Sequence, residues 1–504
     1  MPVRLQTDDS PPGDLEQSRQ GQESQDYISS HGNDLDEKPT NLVDWDGPND
    51  PKNPHNWPKW KKALCTISMG TLNFCVTFSS SVMTSTVKAL AEEFDVSDVV
   101  ATLATSLFVL GFAVGPIIWG PLSEHSGRRN PMLFGFFVFA VFQIPVAVAQ
   151  NLYTIMICRF VGCLFGSATL AIGGGTLADF WAPVDRGVAV CVVFAATFGG
   201  PVAGPIIGGF ITQSFLGWRW TQWITLIMSA FFGLMALFLI PETAAPILLQ
   251  SRAKKIRHST QNWAMHSKNE EERITMGTIA YNVGVRPIIM CVQEPILMLI
   301  NIYIALVYGI LYLFFEAFPV SFEEQRGWNE GVSALPFLGI LIGVIGGVIF
   351  IIIYTKKRFA RKFAQHGKVV PEERLPPMIV GAIMLPIGLF WFAWTSSPHI
   401  TWVPQVISTI PIGMGLMMIF LQGLTYIIDV YLWYANSALV SNTFMRSLVG
   451  AGFPLFATGM FHNLGVAWAS SLLAFLCIAL VPVPVVFFIY GARIRKLSKF
   501  SPNV

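Results

Sequence analysis

The sequence predicts an all-α membrane protein of twelve transmembrane helices in two pseudo-symmetric six-helix halves. Three observations carry this reading. Apolar residues make up 53% of the 504 residues and charged residues only 13%, where a soluble protein carries about 25% charge. Apolar runs long enough to cross a bilayer, which takes about 20 residues, recur from Ala63 to Tyr490. One long polar segment, 243–293, divides them six and six.

In chain order the expected spans are 63–88, 99–121, 131–150, 152–179, 187–212, 219–240, 294–319, 333–355, 377–395, 402–428, 435–461 and 465–490. They divide the chain into five parts. Residues 1–56 form an acidic cytosolic tail and 57–242 the first six-helix bundle. A central cytosolic loop occupies 243–293, the second bundle 294–490, and a basic cytosolic tail 491–504. Twelve Asp/Glu against three Lys/Arg in residues 1–50 leave almost nothing apolar to bury, so this tail is expected to be disordered. The aromatic and basic boundary that follows makes Trp57 and Trp60 expected interface anchors.

The net charge of +2 says little, because in a membrane protein the placement of charge matters more than its sum. With both ends inside, 25 Lys/Arg from Lys52 onward fall in cytosolic segments, and only Lys88, Arg219 and Arg326 fall outside, beside Glu92, Glu93, Asp95, Asp98, Glu323, Glu324 and Glu330. That asymmetry sets the orientation. Seven cysteines contain no CxxC pair and six lie inside apolar runs, so neither a metal site nor a disulfide framework is expected. No glycine-rich phosphate loop is present, so no cofactor is expected and a gradient must drive any transport.

Between the second and third spans stands Gly120-Pro121-Leu122-Ser123-Glu124-His125-Ser126-Gly127-Arg128-Arg129, whose glycines permit a tight turn and whose charges can pair with Asp179. The fifth span holds Gly200-Pro201-Val202-Ala203-Gly204-Pro205-Ile206-Ile207-Gly208-Gly209. Glycines 200, 204 and 208 share one face and allow close helix approach, while Pro205 removes a backbone donor and favours a bend.

The first of these segments resembles the signature of the major facilitator superfamily, Gly-x-Leu-x-Asp-x-x-Gly-Arg-Arg, with Glu124 in place of the usual Asp. The resemblance implies the major facilitator fold and a loop that latches the two halves. The second resembles the motif that separates proton antiporters from symporters and uniporters in that superfamily. Asp44 to Lys62, Pro241-Glu242-Thr243, Phe315-Glu316-Ala317-Phe318-Pro319 and Arg446 to Phe456 look like the fungal twelve-span drug:proton antiporters, which implies multidrug, polyamine or toxin efflux at the plasma membrane.

Ionisable groups inside apolar runs are the direct pointers to function, because each is costly there unless it faces a cavity or a partner. Arg159, Glu316, Asp429 and Arg446 qualify. Arg159 opens Arg159-x-x-Gly162-x-x-x-Gly166 and resembles an arginine implicated in proton coupling; the alternative is snorkelling to the interface. Glu316 and Asp429 either serve the pathway or end their helices in water. Tyr308, Tyr312 and Glu316 share a helix face, as do Gln422, Tyr426 and Asp429, and Asn73, Thr77, Ser80 and Thr84 form a polar stripe. Together they either line a cavity for amphipathic or cationic solutes or are ordinary packing.

The expected function is proton-coupled export of small organic molecules by alternating access about a midplane site. Proton symport for uptake is the alternative, which the fifth span disfavours. An enzyme would show clustered ligands or a nucleophile, and neither is evident. The expected partners are a small-molecule substrate, protons and lipid, without nucleic acid; oligomeric state stays open and a monomer fits the reading.

Overall fold

A computed structural model describes residues 41–271, 281–366, 370–496 and 498–500. Among these residues there is no β-strand, only an isolated bridge between Leu42 and His266. That bridge belongs to a small unit in which 41–44 accompanies Leu249–Glu271, and the remainder forms one large helical unit. Residues 1–40 lie outside the described residues, so the expected disorder there is not addressed.

The large unit holds α1 Lys59–Phe94, α2 Asp98–Ser126, α3 Arg129–Ala147, α4 Leu152–Phe180, α5 Pro183–Gln213 and α6 Arg219–Leu239. Its second half holds α7 Pro295–Glu324, α8 Glu330–Lys362, α9 Pro371–Trp394 and α10 Trp402–Tyr431. The last apolar helical stretch, Ala435–Arg495, is 61 residues long, about twice what one crossing uses. It is broken at Gly465, whose φ of 73° and ψ of 157° are not helical, giving α11 over 435–464 and α12 over 466–495. The described residues thus make twelve crossings, each within a few residues of its expected span.

Glycine-lined contacts recur with an offset of six spans. In the first half a Cβ on Gly111 would stand 2.7 Å from the Cβ of Cys163, so α2 lies against α4. In the second, a Cβ on Gly343 would stand 2.0 Å from the Ile410 carbonyl, so α8 lies as close to α10. The same relation links α1 with α5 and α7 with α11. Without a hydrophobic drive between helices in lipid, such small-residue approaches supply much of the packing energy. Asn301 of α7 adds polar pins to α11, donating to Ser441 and accepting from Asn442 at 2.9 Å.

Two expectations are corrected near the start of the chain. Residues 45–56 are folded rather than disordered: Asp50 accepts from the backbone of Asp46 and Lys52, and Asn56 donates to the carbonyls of Pro48 and Asp50. Local side-chain to backbone bonds order a segment that composition alone marks as too polar to fold. Trp57 is not an interface anchor, because it is buried, stacked on Phe180 at 6.0 Å and capped by Lys61. Trp60 is 69% exposed and stays available to the membrane boundary.

Candidate functional site

The two halves meet at the middle of the helices through a cluster of aromatic, hydroxyl and guanidinium groups. Spacing by four puts Tyr308 and Tyr312 on one face of α7, where their hydroxyls lie 3.3 Å apart. Tyr312 continues across the halves to the Ser80 hydroxyl of α1 at 3.1 Å. Arg446 of α11 lays its guanidinium 5.2 Å from the Tyr308 ring and 4.8 Å from the Phe420 ring of α10. Phe420 in turn meets Phe198 of α5 edge-on at 4.9 Å. A midplane junction built from both halves is where a repeat-built carrier is expected to hold its solute.

Arg159 does not snorkel. It is buried, donates from Nε to the Ala104 carbonyl at 2.7 Å and from Nη2 to the Ser79 carbonyl at 2.8 Å, and sits 4.5 Å over the Phe108 ring. Among the described residues its Nη1 has no hydrogen-bond partner. These bonds tie α4 to α1 and α2 behind Tyr312.

Along α7, one turn beyond Tyr312, the half-buried Glu316 carboxylate accepts from the Thr458 hydroxyl of α11 at 3.2 Å. It opens onto a vestibule that also touches Asp98, Glu323, Glu324, Glu330 and Lys88. Lys88 of α1 pairs with Glu323 of α7 across the halves at 2.5 Å. Glu316 therefore lies between the central cluster and the vestibule.

The α10 acid has a different surrounding. Asp429 is buried and accepts from Arg374 Nε at 2.8 Å, and Arg374 is stacked 3.8 Å over Phe359. Tyr426 stacks on Phe487 of α12, and Gln422 contacts Thr425 on its own helix. Of the two alternatives for this face, Asp429 and Tyr426 take the packing one, running toward α9 and α12 and not toward Tyr308 and Glu316. Sequence spacing gives a shared face but not the neighbour that the face meets, and Arg374 reads as a loop cation. Removing the charge should cost stability, not coupling. Asp429→Asn, which strands Arg374, is expected to lose about 3 kcal/mol, seen as earlier thermal unfolding, while the gradient dependence of the remaining transport stays as in the wild type.

Of the polar stripe, only Ser80 reaches the central cluster. Thr84 lines the vestibule, Thr77 faces α5, where a Cβ on Gly200 would stand 2.2 Å from its hydroxyl, and Asn73 is buried with its carbonyl oxygen unpartnered.

At the basic end of the bundle the α2–α3 turn forms a latch. Arg128 reaches Asp179 at 3.5 Å and the Ser123 hydroxyl at 2.9 Å. Glu242 caps α3 by accepting from the backbone of Arg128 and Arg129. Gly127, at φ 91°, leaves room for it, since a Cβ there would fall 2.5 Å from the Glu242 carboxylate. Glu124 crosses to the other half and accepts from Asn436 of α11 at 2.5 Å, near Gly120. The extra methylene over Asp lengthens the arm that makes this bridge.

The seam between α1 and α5 is lined by glycines along successive turns of α5. A Cβ at Gly204 would stand 2.0 Å from Ser81 Oγ, and at Gly208 2.7 Å from the Val82 carbonyl. Ser85 donates to the carbonyl of Pro205, and a Cβ at Gly209 would stand 3.0 Å from the Glu330 carbonyl at the start of α8. The glycine motif therefore sets both a packing seam and a contact between halves. Phe420, Glu242, Asn436 and the Lys88 pair were not singled out as site residues by sequence reasoning; Phe420 is one aromatic in an apolar run and carries no signal.

Residues 69–454 match the family model of the Major Facilitator Superfamily. The citrinin biosynthesis cluster transporter of Monascus ruber is 57% identical, over 93% of this chain and 94% of its own. The ascochitine biosynthesis cluster transporter of Didymella fabae is 54% identical over 92% and 90%. Among solved structures, the proton:xylose symporter XylE shares the fold with a TM-score of 0.61 at 13% identity, covering 86% of this chain and 96% of that one. Twelve crossings in two six-helix halves, the latch and the close relatives together place this chain in the major facilitator superfamily, as a multi-pass membrane transporter.

Proposed function

We propose that the protein is a proton-coupled exporter of small amphipathic organic molecules, of the secondary-metabolite kind for which its relatives' biosynthesis clusters are named. It works in the plasma membrane with both termini in the cytosol, so that the acidic end of the bundle faces outside. The observation that carries this reading is the continuity of one face of α7. Tyr308 and Tyr312 belong to the central cluster, and Glu316 follows within one turn in the vestibule. A proton arriving from outside and a solute held at the centre therefore influence each other over a short distance. Moving one charge across the membrane is worth about 2.3 kcal/mol per 100 mV, enough to bias the cycle.

The close seam of Gly200, Gly204 and Gly208 supports antiport over uptake by symport, through the motif that it resembles. Expression in a strain deleted of its own efflux pumps, scored against drugs, polyamines and aromatic secondary metabolites, tests the reading. Lower intracellular accumulation of at least one class is expected, and higher accumulation would indicate uptake. Orientation has its own test. Epitopes near residue 260 and at the C-terminus are expected to resist external protease in intact cells; cleavage near 260 would overturn the topology.

A further inference from the structure

We infer that the central cluster binds a planar aromatic anion, with its carboxylate or enolate held by Arg446 and its ring against the aromatic side chains beside it. The inference rests on the transporter reading above and narrows its substrate class. Among the described residues, Arg446 makes no hydrogen bond or ion pair, and its Nε is sealed from solvent without a partner. The side chain is only partly buried and its two Nη atoms are not sealed, so the end of the fork is open to an incoming anion.

The nearby acids are engaged elsewhere: Asp429 with Arg374, Glu316 with Thr458 and Glu124 with Asn436. The acid that follows along α7, Glu316, lies one turn out in the vestibule, so at the cluster itself the charge that a solute meets is the Arg446 guanidinium. An anion meets a planar fork of donors that matches a carboxylate in two bonds, with the Tyr308 and Tyr312 hydroxyls beside it. Aromatic rings stand beside the fork: Phe420 lies between Phe198 at 4.9 Å and Tyr308 at 6.1 Å, with the guanidinium 4.8 Å from its ring.

The test is equilibrium binding to the full-length protein in lipid nanodiscs, at neutral pH and without a gradient. The probes are 1-naphthoate, its methyl ester and 1-naphthylmethylamine. Naphthoate is expected to bind about tenfold or more tightly than either analogue, and Arg446→Gln to lose about that factor for naphthoate while leaving the ester unchanged. Arg446→Lys should recover part of the loss. Equal binding of acid and ester, preference for the amine, no binding of naphthoate, or unaltered naphthoate binding by Arg446→Gln would each overturn the inference. If Arg446→Gln is not recovered folded, the wild-type preference and Arg446→Lys decide. The two readings fail separately. Arg446-dependent naphthoate binding without any gradient-driven accumulation removes proton coupling and keeps the anion site. Gradient-driven accumulation of the amine by wild type and Arg446→Gln alike does the reverse.

Discussion

Gly204→Leu is expected to abolish export while the protein still inserts and reaches the membrane. The first atom of the new side chain would fall 2.0 Å from Ser81 Oγ and 2.9 Å from the backbone nitrogen of Val82, and Ser81 can rotate but the backbone cannot. Accommodating the rest of the leucine forces α5 away from α1. The loss is of geometry, since the span becomes more apolar and insertion is not penalised. Gly204→Ala should give a partial loss. Gly174→Leu supplies the control: it introduces the same side chain on α4, where no atom lies within 4 Å of the added Cβ, and should export normally. Surface amount by immunoblot and efflux per molecule are the two measurements. Wild-type efflux by Gly204→Leu would show that α1 and α5 do not need their close seam, and the antiporter reading of that motif would fall with it.

The second large effect is on coupling. Glu316→Gln keeps the shape and the bond to Thr458 but fixes a neutral side chain in the vestibule. The variant is expected to bind substrate and exchange it across the membrane, yet to lose all accumulation against a gradient when a pH difference is imposed. Protein yield should be near normal, because among the described residues Glu316 is paired with no cation that the change would strand. This contrasts with Asp429, whose Arg374 partner is left buried and unpaired in the neutral variant. Unaltered gradient-driven accumulation in Glu316→Gln would remove this carboxylate from the mechanism.

Much of the fold is legible in the sequence because the bilayer imposes a length on each apolar run, and the break near Gly465 is marked by the polar His462 and Asn463 beside it. The latch is legible as well, since turn glycines and paired charges lie close together in the chain. The site is legible only in part. Tyr308, Tyr312 and Glu316 fall on one line because a helix fixes their relation. What lies across from a helix face depends on which helices pack together, and no local pattern encodes that. Hence Asp429 is drawn to Arg374 of a different segment, Trp57 is buried under Lys61 instead of facing the boundary, and Phe420 is indistinguishable from its apolar neighbours until α5 is seen against it.

Proton antiport has a sign that one measurement reads. Purified protein is placed in liposomes with an acidic lumen and neutral exterior, and a compound that the protein exports from the pump-deleted strain is added outside. Thermodynamics makes the direction independent of how the molecules insert: an antiporter exchanges luminal protons for external solute. The account predicts accumulation in the lumen above the external concentration, collapsing when a protonophore is added and absent from protein-free vesicles. A weak acid distributing passively would move the opposite way, toward the neutral side. Depletion of preloaded solute from the acidic lumen would mark symport, and equilibration without accumulation would mark a carrier not coupled to protons; either result would contradict the account.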